Sequence, residues 1–125
     1  MEQNGKKIML IEDDHFLSSL IKTRLEKDGF TVLQAFDGDE ALTTLQTERP
    51  NLVMLDLIMP KSNGFDVLKT ISMTPGLERT PVIIVSNLAQ DSDIEKARQL
   101  GAKEYFVKVK ISIDDLVEKI KSLAV

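Results

Sequence analysis

The chain has 125 residues, 16 Lys and Arg against 20 Asp and Glu, a formal net charge of −4 and 42% apolar residues. That length suits one domain, expected over residues 1–125 with a core at about 7–123 and a short tail at 1–6, and the composition excludes collagen, coiled coil and disorder. Cysteine is absent, so disulfides, thiol nucleophiles and thiolate metal sites are excluded as well.

In chain order, Ile8-Met9-Leu10-Ile11 is the first continuous apolar run, and such runs read as strands buried on both faces. Phe16, Leu17, Leu20, Ile21 and Leu25 then recur at helical spacing, with Asp14 placed to cap the start and Gly29 to end the helix in a left-handed conformation. A weaker strand follows at Thr31–Ala35. The Asp37-Gly38 turn leads into a second helix through Glu40, Ala41, Leu42 and Leu45, and Pro50 lies beyond its end. Leu52-Val53-Met54-Leu55 is the third strand, and the third helix runs from Phe65 to about Ser72. Val82-Ile83-Ile84-Val85 is the fourth strand; Ser92 and Glu95 have the spacing of a capping box before Ile94, Ala97 and Leu100. Glu104-Tyr105-Phe106-Val107 is the fifth strand, and Ser112 opens a last helix with the stripe Ile113, Leu116, Val117, Ile120 and Leu123. Alternation of this kind predicts a five-stranded parallel sheet wound on both faces by helices, a doubly wound (βα)5 α/β fold. Ligands bind such sheets at the carboxyl ends of the strands.

Polar residues at those ends therefore carry the functional signal. The first strand runs into Glu12-Asp13-Asp14 and the third into Asp56. Singly, an acid after a strand reads as the N-cap of the next helix, but Asp56 interrupts an otherwise apolar stretch from Leu52 to Met59, where a partly buried charge needs a partner. Two carboxylates ~4 Å apart repel by roughly 4 kcal/mol at an effective dielectric near 20, so a cluster of them calls for protons or a cation. Oxygen-only ligation with room for water suits Mg²⁺ better than Ca²⁺ or Zn²⁺. His15, the one histidine, reads as a solvated surface residue. Ser86 after the fourth strand and Lys108 after the fifth add a hydroxyl and an ammonium at the same edge. A carboxylate nucleophile, Mg²⁺, a hydroxyl and an ammonium are together the parts for accepting a phosphoryl group.

From Lys7 to about Leu123 the pattern resembles the receiver (phosphoacceptor) domain of two-component response regulators, which has a flavodoxin-like fold. The residues that carry the resemblance are Ile8–Asp14, Asp56-Leu57-Ile58-Met59-Pro60 with Gly64, Ser86, and Gly101–Lys108. It implies a signalling domain and not a conventional enzyme. Asp56 would be phosphorylated by a sensor histidine kinase or histidine phosphotransfer protein, with Mg²⁺ held by Asp13, Asp56 and the Ile58 carbonyl and Glu12 acting through water. Ser86 and Lys108 would contact phosphoryl oxygens. Tyr105 would be the switch aromatic that moves inward as Ser86 follows the phosphate, presenting a changed face of the fourth helix, fifth strand and fifth helix to a downstream effector protein or domain, or to a second copy in a phosphorylation-dependent homodimer.

Three positions depart from the family pattern. Val109 stands where proline usually follows the lysine, so a trans peptide and some displacement of Lys108 are expected. Asn87 stands where a small residue usually follows the hydroxyl, and its amide would narrow the donor's path or bond the phosphoryl group. Apolar Ile58 stands at an often polar position and should hinder an attacking water, giving slow autodephosphorylation. These departures motivate the alternative of a receiver-like protein-binding module that works without phosphorylation. A haloacid-dehalogenase-like phosphohydrolase would need a second acid where Ile58 lies, and the acids at 12–14 would repel a flavin phosphate.

No apolar run approaches the roughly 20 residues a spanning helix requires, residues 1–7 lack the apolar middle of a signal peptide, and the lysines form no broad basic face. A cytoplasmic chain with no membrane contact and no direct nucleic-acid binding is expected. Since the last helix reaches the final residues, no effector domain is expected within the chain.

Overall fold

A computed structural model describes residues 5–124, so the expected tail lies largely outside the described residues. The sheet strands are β1 (Lys7–Ile11), β2 (Thr31–Ala35), β3 (Leu52–Leu55), β4 (Val82–Ser86) and β5 (Glu104–Val107), and the helices are α1 (His15–Lys27), α2 (Gly38–Thr44), α3 (Gly64–Met73), α4 (Asp91–Gln99) and α5 (Ile113–Leu123). All pairings in the five-stranded sheet are parallel, in the order β2-β1-β3-β4-β5. The chain leaves β1 in one direction to form β2 and then crosses to β3 on the other side. The crevice at the carboxyl ends of β1 and β3 is therefore the topological switch point of the sheet.

The apolar runs work as two-sided strands. Met9, Ile11, Val53, Leu55, Val82 and Ile84 point into a core closed by Ala41, Val67, Leu68, Ile71 and Ala97 of α2, α3 and α4. Their neighbours Ile8, Leu10, Leu52, Met54, Ile83 and Val85 point into a second core closed by Ile21 and Leu25 of α1 and Leu116, Val117 and Ile120 of α5. Alternate side chains of one strand thus fill opposite cores, which is why these segments show no polar alternation.

Several helix signals hold. Asp14 Oδ1 accepts from Leu17 N–H, Ser112 Oγ accepts from Asp115 N–H, and Gly29 takes φ +96° just past α1. Two expectations need correction, and a short segment after Asp56 forms structure that was not expected. Ser92 does not cap α4: the helix begins at Asp91 after Gln90, no side chain caps it, and Glu95 turns instead to Arg98 and Gln99. Phe16 and Leu20 share the spacing of the α1 stripe but face solvent, Phe16 being 80% exposed, while Ser18 is buried and accepts a hydrogen bond from Gln34. The apolar segment after Asp56 is a short antiparallel ribbon, Ile58–Met59 against Ser62–Asn63, turning at Lys61 with φ +69°. Gly64 closes this ribbon onto β3: its N–H donates to Leu57 O, and a Cβ there would lie 2.3 Å from Leu57 Cα.

Candidate phosphoacceptor site

Glu12 and Asp56 reach the crevice because backbone pairing continues one step past each strand. Glu12 N–H donates to Ala35 O, and Asp56 N–H donates to Ile11 O, both at 3.0 Å. Both side chains are held where water scarcely reaches them, Glu12 at 0% and Asp56 at 3% exposure. Asp13 is half-buried beside them, and carboxylate oxygens of Glu12, Asp13 and Asp56 all lie within 4.8 Å of one another. Asp14 points away to cap α1.

Lys108 follows β5 and crosses to the acids. Its Nζ donates to Asp56 Oδ2 at 2.8 Å and lies 2.9 Å from Glu12 Oε1. Asp56 Oδ1 accepts from Ile58 N–H at 3.0 Å, so both oxygens of this carboxylate are oriented. Glu12 is served less well: Oε2 accepts from Asp14 N–H, but Oε1 has no hydrogen bond of good geometry despite the nearby ammonium. Burial pushes the Glu12 carboxyl up to about 7, against the pull of Lys108 and the Asp14 N–H and with the charge of Asp56 adding to the rise. Burial also works against the Lys108 ammonium, yet its contacts with Asp56 and Glu12 outweigh that and raise it above the ordinary lysine value.

One ammonium cannot neutralise three carboxylates this close. Three carboxylates that share one ammonium in an all-oxygen donor set are the marks of a place for a hard divalent cation, and Glu12, Asp13 and Asp56 are the residues placed to hold it.

Ser86, the last residue of β4, is wholly buried, and its Oγ accepts from Leu88 N–H at 3.3 Å. Tyr105 on β5 is half-buried, and its hydroxyl donates to Leu88 O at 2.7 Å; burial and the charge of Asp93 raise this phenol above its ordinary value. The Ile58 side chain is half exposed on the ribbon beside Asp56. Four of the expected site residues, Glu12, Asp13, Asp56 and Lys108, thus converge directly. Ser86 and Tyr105 share the Leu88 backbone, and the Ser86 hydroxyl also acts directly on the Tyr105 phenol. His15 is exposed, with its ring stacked on Phe36 at 3.8 Å. The peptide after Lys108 is trans, and the ammonium still reaches both acids. The joining role of Leu88 carries no signal in the sequence, because any residue supplies an N–H and a carbonyl.

Comparison with known proteins agrees with this geometry. The family described as response regulator receiver domain matches residues 8–121. The transcriptional regulatory protein CrdR of Helicobacter pylori is 40% identical over 116 residues, which is 93% of this chain and 54% of that protein. The chain spans about half the length of the curated relatives it matches. Among solved structures, the Mn²⁺-bound form of response regulator Rcp1 superposes with a TM-score of 0.83 at 30% identity, covering 94% of this chain and 92% of that one. The phosphorylated cyanobacterial phytochrome response regulator RcpA gives 0.81 at 32% identity, covering 94% and 89%. With matched residues running from β1 into α5, this chain belongs to the response regulator receiver domain family.

Proposed function

We propose that Asp56 accepts a phosphoryl group, in an Mg²⁺-dependent reaction, from the phosphohistidine of a sensor histidine kinase or histidine phosphotransfer protein. An Asp56 oxygen forms the new P–O bond as the donor's P–N bond breaks, and the electron pair of that bond leaves with the imidazole. The observation that carries this reading is the Lys108 ammonium bridging Asp56 Oδ2 and Glu12 Oε1 above a buried acid cluster. A buried aspartate with one oxygen oriented by a backbone N–H and the other by a movable cation is a positioned nucleophile.

Bound Mg²⁺, held by Asp13, Asp56 and the Ile58 carbonyl with Glu12 acting through water, would supply charge neutralisation for the incoming phosphoryl oxygens. The chain's own groups do the rest. Lys108 exchanges one anionic partner for another, passing from the carboxylate to a phosphoryl oxygen. Ser86 turns its hydroxyl to donate to a second oxygen and draws on Leu88 through their shared hydrogen bond. Because Leu88 O also holds the Tyr105 hydroxyl, a shift of this loop is felt by the ring, and with it by the face of α4, β5 and α5. An effector protein or domain, or a second copy, that prefers the shifted face stabilises it. The exposed apolar side chains of Phe16 and Leu20, one helical turn apart on α1 and just past Asp13, suit a docked kinase helix. Apolar Ile58 beside Asp56 gives water no polar group to orient it, consistent with slow loss of the phosphoryl group. Mn²⁺ in Rcp1 and phosphorylation of RcpA support the same chemistry by likeness.

Incubating the chain with acetyl phosphate and reading intact mass tests this. Addition of one phosphoryl group is expected with Mg²⁺, not with EDTA, and not in Asp56→Asn. Absence of labelling under all conditions would favour the binding module that works without phosphorylation.

A further inference from the structure

β4 and β5 pair in register up to Ser86 and Val107, and there the backbone pairing stops. One bond continues it. Val109 N–H donates to Asn87 Oδ1 at 3.2 Å, so a side-chain oxygen extends the join between the two strands past its last backbone pair. Asn87 directly follows Ser86, and Val109 directly follows Lys108. Both side chains are exposed, Val109 at 79%, so burial does not hold either of them in place.

We infer that Asn87 is a positioning residue for phosphoryl capture: through the Val109 N–H it fixes the backbone of Lys108 against the end of β4 and so sets the spacing between the Lys108 ammonium and the Ser86 hydroxyl. This rests on the reading of Asp56 as phosphoacceptor. The chemistry of the two departures supports it. A proline at 109 has no N–H to donate, and an alanine at 87 has no oxygen to accept. The two unusual residues are therefore one feature, each supplying the half of a bond that the usual residue lacks. Lys108 acts from the end of a long, flexible stem, so the position of its backbone decides how much of the ammonium's search falls within reach of the phosphoryl oxygens.

The test separates the bond from its consequence. In Asn87→Ala, amide exchange at Val109 should accelerate about three- to tenfold, the scale of losing one solvent-accessible hydrogen bond, while Asn87→Asp, which keeps an acceptor oxygen, should retain the protection. With acetyl phosphate and saturating Mg²⁺, labelling of Asp56 should slow by about the same factor in Asn87→Ala, and a separate Mg²⁺ titration should give an unchanged half-saturating concentration, since the acids follow β1 and β3 and make no contact with this bond. In a Val109→Pro background, Asn87→Ala should have no further effect. An equal loss in that background would mean that Asn87 touches the phosphoryl group directly and would overturn the inference, as would unchanged Val109 exchange in Asn87→Ala. If the wild-type chain is never labelled, the phosphoacceptor reading fails, while Val109 exchange still decides whether the bond holds the two loops together.

Discussion

β1 and β3, which lead directly into Glu12 and Asp56, are buried from Ile8 to Ile11 and from Leu52 to Leu55, and on one face of the sheet α3 buries Gly64, Val67, Leu68 and Ile71. β4 is equally buried, but α4 after it buries only Ala97 and starts without a side-chain cap. Its far end is better held: Ser72 Oγ of α3 donates to Leu100 O at 2.6 Å, and Lys96 lies over the Phe65 ring at 4.4 Å. Its near end follows a loop restrained by single hydrogen bonds, Leu88 with Ser86 and with Tyr105 and Asn87 with Val109. On the proposed function, the acids need fixed positions to orient a nucleophile and concentrate charge. The signal it would send needs a segment that shifts at small cost. The two demands are met by different helices on the same face of one sheet.

Truncating the stiff side should produce the largest effect. Leu68→Ala removes a fully buried side chain from the α3 core and should lower unfolding free energy by about 2–5 kcal/mol in urea or thermal denaturation. A loss under about 1 kcal/mol would mean that α3 is no better anchored than α4.

A smaller effect should mark the strain stored with the acids. Glu12 titrates near 7 in the fold against an ordinary value of 4.5, so between these pH values the folded chain binds the extra proton. Stability relative to Glu12→Gln, which cannot titrate, should therefore be constant below about 4.5, fall as pH rises from about 4.5 to about 7, and level off above. Parallel urea titrations in metal-free buffer read the difference and its sign. A difference that rises over this window would mean that burial does not hold this carboxyl protonated.

Much of this was legible in the residues. Ile8–Ile11, Leu52–Leu55 and Val82–Val85 announce parallel strands because burial on both faces leaves no room for polar alternation, and Asp56 stands out as a charge inside such a run. α1 was half legible: spacing grouped Phe16 and Leu20 with Ile21 and Leu25, but spacing cannot tell a core stripe from an exposed apolar pair beside a site. The start of α4 was misread because Asp91, Ser92 and Asp93 are all cap-forming types, and the helix begins at the first of them. The ribbon after Asp56 was missed because Lys61, and not a glycine, takes its positive φ. The bonds from Tyr105 to Leu88 and from Val109 to Asn87 end on or begin from backbone groups, which every residue offers, so no residue pattern marks them.

The most direct measurement is the backbone amide NMR spectrum with Mg²⁺ and beryllofluoride, a stable mimic of an aspartyl phosphate. The account predicts saturable shifts at Glu12, Asp13 and Asp56 that extend through Ser86, Asn87, Leu88 and Tyr105 into the first turn of α4, with α3 from Val67 to Ile71 little changed. Shifts absent altogether, confined to the three acids, or as large in α3 as in α4 would contradict it.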